Sequence, residues 1–314
     1  MPDSFNNSHF RYVFGHSFEK ILAKLEYYDL YIVIYEWNLV FLQSNLRVSY
    51  MNDRNFFNDP SVAVTRNLLI INFLIALAAT VSNKVQPSFD WYSYFSLHFW
   101  KSSAFHPAQL FTYMFLHSLD WSHVLFNMFS LFMFGRLLEQ VMGAKKFLIF
   151  YAFCGVGAAI IQEITWTIDF WPMLEQLNLI TNEITNMAAD GVLQTSSYRV
   201  DGIVMTSMEQ WNAYSDSILC RPTTVGASGA VFGILLAFGM LFPNLPLFIM
   251  FIPIPVKAKY MVIGYAVLEL YLGVHGVNTG VAHFAHLGGM LFGFILIMYW
   301  RKKGEFDNRI GGFM

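Results

Sequence analysis

Six apolar stretches, each close to the length of a bilayer-crossing helix, constrain this chain more than any other feature. They run near Asn67–Ser82, His123–Met142, Phe147–Ile164, Val225–Phe242, Tyr260–His275 and Ala282–Trp300. A helix that crosses the hydrocarbon core needs about 20 mostly apolar residues, within a range of roughly 17–25. The fifth stretch is the weakest, because it is short and carries Glu269. A further run, Tyr27–Gln43, is interrupted by Asp29, Glu36 and Asn38 and reads as part of an N-terminal cytoplasmic or interfacial element. Composition agrees with a membrane chain: 56% of the 314 residues are hydrophobic and 13% charged, about half the charged share of an ordinary soluble domain. So little charge cannot cover a water-facing surface. The net charge of -2 excludes a generally basic, nucleic-acid-coating protein. Two cysteines, Cys154 and Cys220, are too few for a disulfide scaffold or a paired-thiolate metal site. Asp3, Arg11, Glu19 and Lys20 interrupt the first twenty residues, so no cleavable signal peptide is expected there.

Lysine and arginine orient the segments. Lys145 and Lys146 separate segments two and three, and Lys257 and Lys259 separate four and five. Arg301, Lys302 and Lys303 follow segment six, and Arg66 precedes segment one. The opposite side holds only Lys84, Lys101, Arg199 and Arg221, spread over long loops. Both termini are therefore expected in the cytoplasm, and the even-numbered helices run from outside to inside. The long outer connection Glu163–Thr224 carries eight acids against two arginines, with Trp166, Trp171 and Trp211. A structureless loop of that length is improbable, so a small folded lid or amphipathic cap is expected. The organisation read here is an N-terminal region over residues 1–65, a six-helix core over 66–303 containing the 163–224 insertion, and a cytoplasmic tail over 304–314. Met51-Asn-Asp resembles a natural start, which makes the first fifty residues a candidate upstream extension.

Polar groups inside spanning helices are costly, and they are functional hypotheses by default. Three clusters stand out. His123 and Asn127, four residues apart at the start of segment two, share one helical face. Gly226-Ala227-Ser228-Gly229 opens segment four, and Ala285-His286-Leu-Gly-Gly289 lies early in segment six. All three come early in even-numbered helices, so they share one depth just below the outer surface. Gly229 and Gly233 on segment four, and Gly289 and Gly293 on segment six, allow close backbone approach. Packing through these strips brings Ser228 and His286 within hydrogen-bond reach, as nucleophile and base. No Asp lies near either residue on these helices, which favours a dyad over a triad. His123 and Asn127 can then bind the oxyanion of a tetrahedral intermediate, joined by backbone N–H groups around Ser228. Each signal alone is weak, since Gly-x-x-x-Gly is usually helix packing and a lone intramembrane His is often structural. Their conjunction on three helices at one depth is not weak.

These stretches resemble the rhomboid family of intramembrane serine proteases. The run from Leu116-His117 through Asp120-Trp121, His123 and Asn127 to Gly135, Glu139 and Gly143 is similar to the second-helix signature of that family. Gly226-Ala-Ser228-Gly229 with Phe232 and Gly233 is similar to its serine motif, and Ala285-His286-x-x-Gly289-x-x-x-Gly293 to its histidine motif. The resemblance implies a six-helix core with a Ser228–His286 dyad in a water-filled outer cavity. It implies an oxyanion hole completed by His123 and Asn127, and Phe232 packing on the imidazole. Substrates would be single transmembrane helices cut near their outer end, in a plasma membrane of bacterial type. No cofactor and no metal are implied. The first outer loop departs from bacterial members, carrying Gln109-Leu-Phe where a Trp-Arg pair is common, so its anchoring is not given by the resemblance.

His283 lies three residues before His286 on the same face, and with His123 nearby the trio suggests zinc. The sequence places no carboxylate or thiolate at that level, so His283 is read as a cavity-lining group. Glu269 is expected to be capped by backbone or by the connection after segment four, and it is assigned no role. The alternative function is a non-catalytic rhomboid-like binder of membrane proteins, which would have lost Ser228 or His286. A channel is disfavoured, because the inner halves Leu235–Leu241 and Leu291–Tyr299 are almost wholly apolar.

Overall fold

The computed structural model describes residues 56–86, 89–190, 198–200, 203–248, 255–275 and 281–306. The Tyr27–Gln43 run, the Met51 start and the end of the tail lie outside them. The apolar stretches become six principal helices: α1 (Ala63–Val85), α2 (Trp121–Met142), α3 (Ala144–Ala189), α4 (Ser228–Leu241), α5 (Ala258–Val274) and α6 (His283–Lys302). Within α2 a π-helical turn, Leu131–Gly135, separates two α-helical halves.

Among the described residues four of the six, α1, α2, α3 and α6, are long and apolar enough to cross a membrane, while α4 and α5 are shorter. At about 1.5 Å per residue, α4 is short of the roughly 30 Å hydrocarbon core. Its packing explains the tolerance. Of its residues, Gly229, Ala230, Val231, Gly233, Ile234, Leu235, Ala237, Phe238, Gly239 and Leu241 are all buried. Only the face carrying Ser228, Phe232, Leu236 and Met240 is half-buried, and a helix packed in protein over most of its surface need not match the bilayer. The opposite holds for α5, where Ala258, Val262 and Glu269 are the buried residues and one face is apolar and exposed.

The third helix departs most from expectation. It does not end near Ile164 but continues to Ala189, so the charge that closes the apolar run does not close the helix. Acidic and polar residues such as Glu175, Gln176 and Asn178 are adequate helix formers, and the helix runs to Ala189 with Asp190 as its C-cap. The rest of the insertion folds back on this extension. A short hairpin pairs Tyr198–Val200 with Ile203–Met205, and an insertion helix follows over Met208–Leu219. Trp211 and Ile184, both fully buried, centre a small satellite core with Leu177, Ile180, Met187 and Met208. Trp211 Nε1–H donates to Thr181 Oγ1 at 2.8 Å.

Polar links sort the loops into two ends. At one end, Glu139, fully buried, accepts the Val64 and Thr65 N–H groups at 2.8 and 2.7 Å, so a carboxylate caps the N-terminus of α1. Arg301 donates to the Met240 carbonyl at the end of α4, and Lys146 pairs with Glu305. At the other end, Leu97–His98 pairs antiparallel with Thr223–Thr224, just ahead of α4. Trp100 N–H donates to Glu163, Trp100 Nε1–H to Thr167, and Ser103 N–H to Asp216 at 2.9 Å. Helices α2, α4 and α6 all start at this second end.

Candidate active site

Ser228 is the first residue of α4, half-buried, and Gly226 explains how the chain reaches it. Between the paired strand Thr223–Thr224 and the helix, Gly226 adopts φ +122°, a conformation L side chains rarely take. Its N–H donates to the Tyr113 carbonyl at 3.0 Å, which ties the turn to the first outer loop. A Cβ at Gly226 would also stand 2.8 Å from His123 Nε2 and 3.7 Å from Ser228 Oγ. The missing methyl is thus the space shared by those two groups.

His286 approaches from α6 through backbone contact. A Cβ on Gly289 would fall onto the Gly229 carbonyl, and one on Gly233 would lie 2.9 Å from the Gly289 carbonyl. Gly293 faces the Gly233 Cα in the same way, at 3.3 Å. With the backbones this close, His286, buried, brings Nε2 to 2.8 Å from Ser228 Oγ. Phe232, one turn further along α4, stacks on the imidazole at 4.1 Å between centroids and 8° between planes. The Tyr265 ring of α5 meets Phe232 edge-on at 6.3 Å.

His123 and Asn127 occupy the facing turn of α2. His123 Nδ1 lies 3.1 Å from Ser118 Oγ, and Asn127 Nδ2 donates one of its two hydrogens to the His123 carbonyl at 2.9 Å. Ser228, His286, Phe232 and His123 are therefore brought together, while Asn127 is buried on the same face with its amide partly engaged by its own helix. Behind them stands His117, in edge contact with His123 at 5.3 Å, its Nε2 accepting a long 3.5 Å bond from the Ala227 N–H. Burial, and secondarily the nearby His123, pushes the His117 pKa down to about 4, so it is neutral at pH 7.

Two expectations are corrected. A carboxylate does share this level: Glu269, buried on α5, places Oε2 2.7 Å from His283 Nδ1 and 3.0 Å from His286 Nδ1. Among the described residues its side-chain partners are the two histidines. The donor atoms of Glu269, His283 and His286 lie within 4.8 Å of one another, the geometry a metal ion would ask for. The short Glu269–His283 separation is that of a hydrogen bond, since two ligands on a tetrahedral zinc stand roughly 3.4 Å apart. As placed, Glu269 and His283 are hydrogen-bonded, and His286 Nδ1 stands 3.0 Å from the same oxygen outside hydrogen-bond geometry.

The family model for the rhomboid domain matches residues 104–167 and 192–303, together more than half of the chain. The chain belongs to the rhomboid family. The matched segments leave out 168–191, where α3 runs on beyond the bundle. The rhomboid protease AarA of Providencia stuartii is 25% identical over 193 residues, covering 58% of this chain and 52% of that protein. The chain thus spans about half the length of the curated relative it matches.

Two residues of this rhomboid escaped sequence reasoning. Gln109, fully buried, anchors the first outer loop: its Oε1 accepts from the His98 and His106 N–H groups, and its Nε2 donates to the Tyr94 and Ala104 carbonyls. Glu269 was visible as a lone acid in an apolar helix, which demands a partner. Its depth was the overlooked signal. Odd-numbered helices reach the outer end at their C-termini, and Glu269 lies five residues before the end of α5.

Proposed function

We propose that this rhomboid is an intramembrane serine endopeptidase that cuts transmembrane-helix substrates near the outer membrane–water boundary. The observation that carries the reading is the 2.8 Å contact between Ser228 Oγ and His286 Nε2 at the end of the bundle where α2, α4 and α6 begin. Ser228 Oγ attacks the scissile carbonyl carbon as its proton passes to His286 Nε2. The carbonyl oxygen becomes an oxyanion, and the space beside Gly226 offers it His123 Nε2. Asn127 and the first-turn N–H groups of α4, which lack intrahelical acceptors, are the other donors. Collapse of the tetrahedral intermediate breaks the C–N bond, and His286 returns the proton to the leaving amine. Water, deprotonated by the same His286, then hydrolyses the acyl-enzyme and regenerates Ser228. The stack on Phe232 holds the plane of the imidazole.

The Lys and Arg distribution supports a cytoplasmic Lys146–Glu305 end and an outward-facing active end, and the family resemblance supports a plasma membrane of bacterial type. Single-pass membrane proteins are the substrate class, since their helices can enter such a site only from the bilayer. The test is cleavage of a panel of single-pass substrates by the purified chain in detergent. Ser228→Ala and His286→Ala should each abolish cleavage, and the double variant should be no worse, because the two act as a unit. Full cleavage by Ser228→Ala would leave a binding cavity without covalent chemistry.

A further inference from the structure

An acid in the middle of an apolar, lipid-exposed helix is expensive unless something compensates it. Glu269 sits in such a helix, buried, with Leu268 and Leu270 exposed on either side. What compensates it is unusual: two imidazoles converge on one carboxylate oxygen. His283 Nδ1 lies 2.7 Å from Oε2, and His286 Nδ1 lies 3.0 Å from the same atom. His283 and His286 are three residues apart on α6, so one helical face presents both rings to α5.

We propose that Glu269 is a positioning residue for the serine chemistry, holding His286 in the Nδ1–H tautomer and stabilising the imidazolium formed as Ser228 attacks. This rests on the protease reading above. The order of atoms is Ser228 Oγ, His286 Nε2, His286 Nδ1, Glu269 Oε2, with contacts of 2.8 and 3.0 Å at its two ends. It is the order in which a serine–histidine–carboxylate relay works. A ring nitrogen facing a carboxylate carries the proton, so the other nitrogen presents its lone pair to the serine hydroxyl. The opposite tautomer would turn N–H towards Ser228 and accept nothing. The titratable groups turned towards His286 are Glu269 from α5, His283 from its own helix and His123 from α2. Among them only Glu269 carries negative charge. During attack the proton moves from Ser228 to His286 Nε2 and no further, and Glu269 stays ionised. The hydrogen bond from His283 stops the carboxylate from rotating away. His286 Nδ1 stands 3.0 Å from Oε2 but off the hydrogen-bond direction, whereas His283 makes a true hydrogen bond to it, so the effect should be smaller than in a fully aligned relay.

A purely structural pin between α5 and α6 needs an acceptor, which glutamine supplies in nearly the same shape. A relay needs charge, which aspartate supplies on a shorter arm. The experiment compares Glu269→Gln and Glu269→Asp in the full chain. It measures kcat and KM on a single-pass substrate, the rate of Ser228 labelling by a fluorophosphonate, and thermal unfolding. Glu269→Gln should lower kcat and labelling by about 100- to 1,000-fold with KM within about twofold, short of the roughly 10,000-fold loss when a soluble protease exchanges its carboxylate for an amide. Glu269→Asp should be the faster of the two and label within about tenfold of wild type, although glutamine is the closer mimic in shape. Glutamine activity equal to or above that of aspartate, or a wild-type rate in both, overturns the proposal while leaving the protease reading intact. If Glu269→Gln fails to fold, aspartate decides alone, and background labelling by a folded Glu269→Asp overturns it. A wild type inert to both substrate and probe removes the protease reading and this proposal with it.

Discussion

The two sides of α6 are fastened in opposite ways. Towards α4 the contact is backbone against backbone, through Gly229, Gly233, Gly289 and Gly293, with Cys154 buried against it. Towards α5 the buried polar link is one carboxylate reaching His283 and His286, on a helix whose other side chains are mostly exposed. One side sets the distance between Ser228 and His286 by steric exclusion. The other, on the reading proposed above, sets the state of the imidazole by charge. Steric contacts of this kind are intolerant of volume, whereas the polar link is expected to tolerate a change of shape better than a loss of charge.

The largest effect should come from breaking the steric side. Gly289→Val places branched carbons on the Gly229 carbonyl, so α4 and α6 must separate. Overpacking costs typically 1–3 kcal/mol and occasionally more, and here the neighbour that must shift is main chain and not the end of a flexible side chain. We expect loss of both folded protein and cleavage, read by thermal unfolding and substrate turnover; a folded, fully active Gly289→Val would refute the steric account. An intermediate effect sharpens the charge side. Phe232→Ala removes the ring stacked on His286 without touching the glycine contact. Cleavage should fall by roughly tenfold, the scale of a 1–2 kcal/mol ring–cation contact, with little change in KM. The smallest effect tests whether the exposed face of α5 matters. Val267, 61% exposed, should accept alanine with cleavage unchanged and a shift in unfolding temperature within about 1 °C, as exposed sites away from special features usually do. A tenfold loss there would mean that this face contributes to the site.

Much of this was legible in the sequence, for identifiable reasons. Apolar length marked the helices, and glycine spacing marked the α4–α6 seam. Shared depth in even-numbered helices picked out Ser228, His286, His123 and Asn127. The length of α3 was not legible, because hydropathy reports where lipid ends and a helix can continue into water on polar residues. Gln109 gave no pattern: a single amide bonded to four backbone groups has no spacing to betray it. Glu269 was missed through direction, since the depth argument was applied to helix starts and not to helix ends.

The glycine seam has a consequence for how freely the rest of α6 can vary. The spacing of Ser228 and His286 is set by main-chain atoms, which every sequence shares, so no rotamer on the outer surface can loosen it. Leu291, Phe294, Ile295, Met298 and Tyr299, all exposed on the same helix, are therefore expected to accept other apolar residues without moving Ser228 from His286. They are free to drift with the thickness and lipid composition of whatever membrane surrounds them.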